Sequence, residues 1–273
     1  MQSRANTRKT GKEQYYTNRD IAIRCSEIAS KYIGKDHLVV EPAGGTGEFI
    51  EAMKSVGFKQ LYSTDIEPKH PEVLEGSWLD VLHLDKPFSV ITNPPFGRMN
   101  SLSVKFFNHA AHLGAEYICF LIPVSWRKWS LMNRLALNYE LVDDVDLPNE
   151  HLFYGDDVDT SKVNVLKSIF QVWKRTDTPR KKITVEEKGF LTRSSPEDAD
   201  IQIIHQGWSC GKVNSTFDRT KNVNGTNYYK AEEGVVRVLE QLTDGGYDEF
   251  TKNCAYVASI SLAEINSKLN EIL

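Results

Sequence analysis

Two consecutive prolines end a short apolar strand in the first half of the chain. Residues 89–92 (Ser-Val-Ile-Thr) have the pattern of a buried strand, and Asn93-Pro94-Pro95-Phe96 follows directly. Proline has no N–H for a strand ladder and fixes φ, so the strand must end in a rigid turn. Open α/β folds bind ligands at the carboxyl edge of the sheet, and this turn would hold Asn93 there.

The turn itself suits a flat ligand that carries an amine. The Asn93 side chain offers one carbonyl acceptor and a pair of amide N–H donors. The Pro94 carbonyl has no predicted helix or ladder partner, and Phe96 offers a flat apolar face. The turn therefore predicts a site for a planar ring with an exocyclic amine. The alternative is a surface turn that happens to contain two prolines.

A glycine-rich turn follows an earlier strand. Residues 38–40 are apolar and run into Glu41-Pro42-Ala43-Gly44-Gly45-Thr46-Gly47-Glu48-Phe49, after which a helix is predicted up to Gly57. Glycines let a backbone approach a ligand closely, and the helix N-terminus favours negative charge. The spacing differs from the dinucleotide fingerprint G-x-G-x-x-G, so a pyrophosphate is not specifically indicated. Strand, turn and helix predict the first unit of a nucleotide-binding sheet.

Two acids further along could hold an adenosine. Asp65 closes the second predicted strand and is followed by Ile66. An acid in this place fits a carboxylate that bonds the two ribose hydroxyls; a helix-capping aspartate is the alternative. Asp80, in Trp78-Leu79-Asp80, is expected at the end of a third strand. It could hold an adenine amine or be an ordinary turn residue.

The remainder of the first part repeats strand and helix patterns. Helices are predicted over 104–112 and 126–138, with strands over 117–123 and 163–173. Such repeats predict an α/β fold with a mostly parallel sheet and helices on both faces. An acidic stretch from Asp143 to Asp159 is expected as a loop. It would be either a solvated loop or a mobile lid.

The chain is expected to have three parts. Residues 1–12 form a basic arm, either a solvated tail or a contact to phosphates. Residues 13–175 form the α/β domain. Residues 176–273 form a small α+β extension that ends in a helix capped by Ser261 and Glu264. A basic stretch spans the junction: Lys174, Arg175, Arg180, Lys181 and Lys182.

Composition bounds the class of protein. The 273 residues carry a formal net charge of −4, so a nucleic-acid partner would have to bind local basic patches. No apolar run is long enough to span a membrane, and no signal-peptide core begins the chain, so we expect a cytoplasmic protein. The four cysteines lie far apart, and the histidines lack metal-ligand spacing. Neither a metal site nor a disulfide framework is expected.

In this order, the motifs resemble those of the S-adenosylmethionine-dependent amino-methyltransferases. Within them, the chain is similar to the adenine-N6 DNA methyltransferases whose cofactor motif precedes the catalytic one. The resemblance covers residues 12 to about 175. Gln14-Tyr15-Tyr16-Thr17 looks like the leading motif of that family, and residues 41–49 look like its glycine loop, with Ala43 in place of the first glycine. Residues 170–173 are similar to a late strand of phage and bacterial members.

The resemblance implies a Rossmann-like class I methyltransferase sheet with S-adenosyl-L-methionine as cofactor. The implied cofactor-binding residues are Tyr16, Thr17, Glu41, Pro42, Ala43, Gly45, Gly47, Phe49, Asp65, Ile66, Asp80 and Asn93. The implied catalytic residues are Asn93, Pro94, Pro95 and Phe96. Asn93 and the Pro94 carbonyl would accept hydrogen bonds from the target amine. Phe96 would stack on a base that is flipped out of the duplex.

The resemblance favours adenine in DNA as the substrate. In this motif order the family places its target-recognition region after the catalytic domain, so the extension and the basic residues Lys174, Arg175, Arg180, Lys181 and Lys182 would contact DNA. The extension could instead only support the fold. Three alternatives stay open: adenine in RNA, the side-chain amide of a protein glutamine, and a catalytically inactive cofactor-binding scaffold. The oligomeric state and any restriction partner are not indicated.

Overall fold

The computed structural model describes residues 16–148, 153–154, 166–255 and 257–273. These residues form two compact units. The first contains the chain up to Val124 together with Ser130–Lys182, and the second contains Ser125–Trp129 together with Ile183–Leu273. The predicted basic arm of residues 1–12 lies outside the described residues. The domain boundary predicted after residue 175 stays a prediction.

A seven-stranded sheet forms the centre of the first unit. The strands of this unit are β1 (Tyr16–Thr17), β2 (Leu38–Glu41), β3 (Gln60–Asp65), β4 (Leu74–Glu75), β5 (Phe88–Thr92), β6 (Tyr117–Pro123), β7 (Tyr139–Asp146), β8 (Phe153–Tyr154) and β9 (Ser168–Arg175). The sheet has the order β4-β3-β2-β5-β6-β9-β7, and β1 pairs separately with β8. Strands β2 to β6 run parallel, and β9 is antiparallel to both of its neighbours, β6 and β7. The expected mostly parallel sheet is confirmed.

Helices cover both faces of this sheet. The helices are α1 (Arg19–Ala29), α2 (Glu48–Val56) and α3 (Ser101–His112), and the short α4 (Trp129–Met132) follows β6 in the chain. Successive strand side chains point to opposite faces. Cys119 and Leu121 accordingly share a core with α1 and α2, whereas the Phe120 and Trp173 rings lie 5.9 and 5.5 Å from the ring of Phe107 in α3. The expected Rossmann-like α/β class, a mostly parallel sheet with helices on both faces, is confirmed.

Two secondary-structure predictions in this unit were wrong. The third strand ends at Glu75, and Trp78–Asp80 forms a 3-10 turn. The buried Trp78 indole donates to the Phe106 carbonyl of α3 at 3.3 Å, so this segment packs against α3 and does not extend the strand. The predicted helix over 126–138 is reduced to α4, because the Met132 carbonyl accepts a hydrogen bond from the Arg180 guanidinium.

Part of the predicted acidic loop is also a strand. Asp143, Asp144 and Asp146 belong to β7, which pairs with β9 at the edge of the sheet. Asp143 accepts a hydrogen bond from the Tyr32 hydroxyl at 3.0 Å, and Asp144 accepts one from Gln171 at 3.0 Å. These two acids therefore support the sheet. The other acids of that stretch, Glu150, Asp156, Asp157 and Asp159, lie outside the described residues.

The second unit is a small antiparallel sheet with helices. Its elements are β10 (Thr192–Arg193), β11 (Ile201–Ile204), β12 (Val213–Asn214), β13 (Thr226–Lys230), α5 (Glu233–Leu242), α6 (Asp248–Thr251) and α7 (Leu262–Ile272). The strand order is β10-β13-β11-β12, and the predicted capping box of Ser261 and Glu264 starts α7. The expected α+β extension is confirmed. None of the helices in the described parts of the chain is long and apolar enough to cross a membrane.

Candidate active site

Three loops meet where parallel strands of the first unit end. Strands β2, β3 and β5 are neighbours, so Glu41, Asp65 and Thr92 end at the same edge of the sheet. A cleft opens there beside β1. Its lining residues are Tyr16, Thr17, Glu41, Ala43, Gly44, Gly45, Thr46, Glu48, Phe49 and Asn93. The structure thus brings the leading motif, the glycine turn and Asn93 to one place.

Asp65 fixes the shape of the glycine turn. One oxygen of its carboxylate accepts a hydrogen bond from the Gly45 N–H at 2.9 Å, and the other accepts from the Glu67 N–H at 2.8 Å. Gly45 has φ +45°, in the left-handed region that glycine adopts readily. A Cβ on Gly45 would lie 3.3 Å from the Tyr16 ring. The backbone at Gly45 therefore lies close to both the carboxylate and the wall of the cleft.

The other two glycines of the turn are required by the protein itself. A Cβ on Gly44 would collide with the Ser63 hydroxyl, and one on Gly47 would collide with the His70 ring. Gly47 also has φ +83° and starts α2. Close approach to a ligand was the predicted reason for these glycines. For Gly44 and Gly47 the structure instead shows close packing between the turn and the segment after β3.

Glu41 is a buried carboxyl at the floor of the cleft. Its side chain is 2% exposed, and the Ser63 hydroxyl donates to it at 3.5 Å, a long contact. Burial, followed by the negative charge of Asp65, raises the pKa of Glu41 to about 8. Desolvation and a neighbouring negative charge both disfavour the ionised form of a carboxyl group. A positively charged ligand group beside Glu41 would offset both effects and stabilise the ionised form.

Asn93 is bonded to the leading motif. Its side-chain Nδ2 donates to Thr17 Oγ1 at 3.1 Å. Thr17 is 4% exposed and is held by the pairing of β1 with β8. The donor end of the amide is therefore oriented by Thr17. The end that accepts hydrogen bonds is the carbonyl oxygen.

The rest of the Asn-Pro-Pro-Phe turn is tied to α3. The Phe96 carbonyl accepts hydrogen bonds from the Leu102 and Ser103 N–H groups at 3.1 and 3.3 Å. Gly97 has φ +69°, and a Cβ there would lie 2.8 Å from Leu102 Cβ. Met99 also has a positive φ, of 53°. Positive φ in a non-glycine residue stores backbone strain, and such strain concentrates at functional sites.

The remaining predicted site residues differ in their exposure. Phe96 is 7% exposed, so most of its ring packs inside the protein. Ile66, directly after Asp65, is 61% exposed and presents an apolar face to solvent. Asp80 is exposed in the 3-10 turn and does not close a strand. Pro42 is buried beneath the glycine turn.

The structure does not bring the predicted basic residues to this site. Lys174 pairs with Tyr117, at the amino-terminal end of β6, because β9 is antiparallel to β6. Lys174 and Arg175 therefore lie at the edge of the sheet opposite Asn93. Lys181 and Lys182 are exposed after the last strand of this unit. The contact of these basic residues with a nucleic acid stays a prediction; the direction of β9, which was not predicted, places Lys174 and Arg175 away from Asn93.

Arg180 has a structural role instead. Its guanidinium donates to the carbonyls of Met132 and Leu135 at 2.6 and 3.2 Å, and its Nε donates to the Tyr139 carbonyl at 3.1 Å. It also lies 5.6 Å from the Trp173 ring. Burial lowers the pKa of Arg180. This side chain satisfies backbone carbonyls of its own unit, and its contact with a substrate stays a prediction.

Sequence reasoning missed two residues that shape the cleft. The Lys69 ammonium lies 4.8 Å from the centre of the Tyr16 ring, and the Lys69 N–H donates to the Gly45 carbonyl at 2.9 Å. His70 packs against Gly47. Both follow β3 by only a few residues. The only sequence signal was a positive residue, Lys69, soon after the acid that ends β3. That signal does not predict that the loop after β3 packs against the glycine turn.

Comparisons with known proteins return similar structures only. No family model and no curated protein matches the chain. A putative RNA methyltransferase from Pyrococcus horikoshii has 13% identity and a TM-score of 0.48, covering 64% of this chain and 93% of that one. A putative class I S-adenosylmethionine-dependent methyltransferase from Listeria monocytogenes has 14% identity and a TM-score of 0.44, covering 62% and 64%. The type IIG restriction endonuclease BpuSI has 15% identity and a TM-score of 0.42. The match covers 65% of this chain and 27% of that one.

These similarities are weak in both identity and superposition. The function proposed for the chain therefore rests on its own residues.

Proposed function

We propose that the protein transfers a methyl group from S-adenosyl-L-methionine to the exocyclic N6 amine of adenine in DNA. The observation that carries this proposal is the hydrogen bond between Thr17 and Asn93. It joins the cleft formed by the glycine turn to the Asn-Pro-Pro-Phe turn. A site for an adenosine ligand and a site for a planar amine would thus share one edge of the sheet, as ligand sites of open α/β folds do.

The residues of the cleft fit this cofactor. The amino and sulfonium groups of this cofactor are positively charged. Burial and Asp65 disfavour the ionised form of Glu41, and a cation beside it would stabilise that form. Asp65 lies at the end of β3, in the place of a ribose-binding acid, and Ile66 offers an apolar face for an adenine. Tyr16, Thr17, Gly45 and Phe49 line the cleft. When bound, the cofactor supplies an electrophilic methyl group.

Asn93 and Pro94 would orient the methyl acceptor. The Asn93 carbonyl oxygen and the Pro94 carbonyl would accept hydrogen bonds from the amine, while the Asn93 amide nitrogen donates to Thr17. The amine nitrogen is thereby drawn toward tetrahedral geometry with its lone pair aimed at the methyl carbon. The nitrogen would accept the methyl group that the bound cofactor supplies and would then release its proton to water. Orientation and stabilisation of the developing charge provide the catalysis, and no strong base is needed.

Phe96 would contact the base after the turn adjusts. Its ring is 7% exposed, so stacking on an extruded adenine requires a shift of the turn that uncovers one face. Such extrusion has a cost in unstacking and unpairing, and it is smallest for single-stranded or mismatched substrate. Phe96 would thus stack on the base, while Asn93 and Pro94 would accept hydrogen bonds from its amine.

The polymer that carries the amine is tested directly by radiolabelled methyl transfer. Unmethylated DNA, RNA and total protein are offered in parallel to the wild-type enzyme and to Asn93→Ala. We expect label in DNA with the wild type and none with the variant. Label in RNA alone would replace the DNA target by adenine in RNA. Label in protein alone would end the nucleic-acid proposal, and cofactor binding without any transfer would indicate an inactive scaffold.

A further inference from the structure

The second unit carries a group of exposed apolar side chains. Among the described residues of this unit before Ile272, the large apolar side chains that are exposed belong to Trp208, Val223 and Val257. Trp208 is fully exposed, and the two valines are 53% and 50% exposed. We refer to these three side chains as the tip patch. By contrast, the indoles of Trp78, Trp126 and Trp173 are fully buried.

Backbone hydrogen bonds bring the three loops of the tip patch together. The Gly207 N–H donates to the Ala258 carbonyl at 3.0 Å, and Gln206 forms a bridge with Ser259. The Gln206 N–H donates to the Gly225 carbonyl at 3.1 Å. Trp208, Val223 and Val257 are each within two residues of one of these contacts. The three exposed side chains therefore lie at one end of the small sheet, where β11 finishes and β13 begins.

The loop that carries Trp208 is held by backbone hydrogen bonds and packs against the buried ring of Tyr247. The Gly211 N–H donates to the Ile204 carbonyl at 2.7 Å, and the Lys212 N–H donates to the Ser209 carbonyl at 3.0 Å. A Cβ on Gly211 would lie 2.6 Å from the ring of Tyr247, which is itself 3% exposed. A braced loop that holds an indole in solvent is suited to contact a partner, since the hydrophobic effect favours covering such a side chain.

The charges around the tip patch identify the partner. Residues 201–230 contain the cations Lys212, Arg219, Lys221 and Lys230 against one acid, Asp218, whereas acids outnumber bases in the rest of the unit. Lys212 lies in the same hairpin as Trp208, and Lys221 lies two residues before Val223. Lys221 pairs with Asp218 at 2.9 Å, but the lysine side chain is 74% exposed and such surface pairs are weak. The local charge is complementary to a polyanion.

We propose that the tip patch binds an unpaired segment of nucleic acid. Trp208 would stack on one base, and Lys212 and Lys221 would contact phosphates on either side. An aromatic plate beside cations is the arrangement by which proteins hold single strands without sequence preference. The choice of polymer rests on the proposed function, but the contact itself does not depend on methyl transfer.

The test is binding of a fluorescein-labelled single-stranded oligonucleotide, followed by anisotropy without cofactor. Stacking contributes about 1–3 kcal/mol per base, so Trp208→Ala should weaken binding about 5- to 150-fold, and Trp208→Phe should keep most of the affinity. Each of Lys212→Ala and Lys221→Ala should reduce the slope of log affinity against log salt by about 0.7. Leu82→Ala, which removes an 89% exposed leucine of the first unit, is the matched control. Deoxy and ribo oligonucleotides are compared.

Acrylamide quenching of tryptophan emission gives a second readout that does not depend on a variant. Added oligonucleotide should protect the exposed indole from quenching. If added oligonucleotide leaves the quenching unchanged, or if Trp208→Ala binds it with wild-type affinity, the tip patch is not a nucleic-acid site. The same conclusion would follow if the tip patch bound a protein and not the oligonucleotide. Failure of the proposed function is separate, because the binding assay contains no cofactor and absent methyl transfer leaves these binding results unchanged.

Discussion

The amide of Asn93 donates to the hydroxyl of Thr17 at 3.1 Å, although the two residues are 76 positions apart in the chain. In this arrangement the amide nitrogen of Asn93 bonds Thr17, and the carbonyl oxygen is the end that we propose accepts from the substrate amine. Thr17→Val keeps the shape of the side chain and removes the acceptor. One hydrogen bond contributes about 1 kcal/mol, so kcat for methyl transfer should fall roughly fivefold with little change in cofactor Kd.

Thr17→Ser is the matched control for that change. It retains the hydroxyl and should keep kcat near the wild-type value. Equal losses in the serine and valine variants would show that the methyl group of Thr17 matters and that the hydrogen bond does not.

The buried carboxyl of Glu41 predicts an unusual dependence of stability on pH. Burial and Asp65 raise its folded-state pKa to about 8. The folded protein therefore binds a proton that the unfolded chain has released, and the stability from this proton is present below the unfolded pKa and lost as pH rises through about 8. Urea unfolding between pH 5 and pH 9 should show this decline in the wild type and a flatter profile in Glu41→Gln.

Glu75→Gln, at an exposed position, is the control and should follow the wild type. Cofactor binding should respond in the opposite direction. A ligand cation favours ionised Glu41, so affinity should increase as pH approaches 8 and Glu41→Gln should lose this dependence. A parallel decline of stability in the wild type and in Glu41→Gln would assign the effect to another group.

Gly97 is the glycine that lets the Asn-Pro-Pro-Phe turn lie close to α3. Its φ of +69° strains any other residue, and a Cβ would lie 2.9 Å from the Leu102 N. Gly97→Ala should cost about 1–3 kcal/mol of strain, released by movement of the turn. Methyl transfer should decrease strongly while calorimetry shows cofactor affinity within a few-fold of the wild type.

Gly34→Ala is its control, because a Cβ there meets no atom within 4 Å in the described structure. Full activity in Gly97→Ala would mean that the turn is not held in the described conformation during transfer.

Arg180 should matter for stability and not for the substrate. Its guanidinium bonds carbonyls of residues 132, 135 and 139, so Arg180→Leu leaves these acceptors unsatisfied and should lower the free energy of unfolding by about 1–3 kcal/mol. Thermal or urea unfolding measures the change. The double variant Lys181→Ala/Lys182→Ala should leave stability unchanged. A large loss of oligonucleotide affinity in Arg180→Leu without loss of stability would restore the basic stretch as a contact surface.

Local patterns predicted the elements that carry their own signals. The double proline ended β5, the continuous apolar run of 117–123 formed β6, and Ser261 capped the last helix as expected. Adjacent parallel strands then placed Asn93 beside the glycine turn. These features depend on neighbouring residues and on the rules of a parallel sheet, so the sequence sufficed.

Features set by distant contacts could not be read from the sequence. Strand β9 runs antiparallel between β6 and β7, and this direction alone moves Lys174 to the edge opposite Asn93. The predicted third strand ends at Glu75, before Trp78, whose indole packs against α3 and bonds the Phe106 carbonyl. The partners of Gly47 and Arg180 follow from how segments fold back on each other, which no local pattern of residues records.

The most informative single experiment is nucleoside analysis of DNA methylated by the wild type and by Asn93→Ala, with cofactor affinity measured on both proteins. We expect N6-methyladenine as the product of the wild type, no product from the variant, and cofactor Kd values within a few-fold of each other. Loss of cofactor binding in Asn93→Ala, or a methylated nucleoside other than N6-methyladenine, would contradict the roles assigned to this turn.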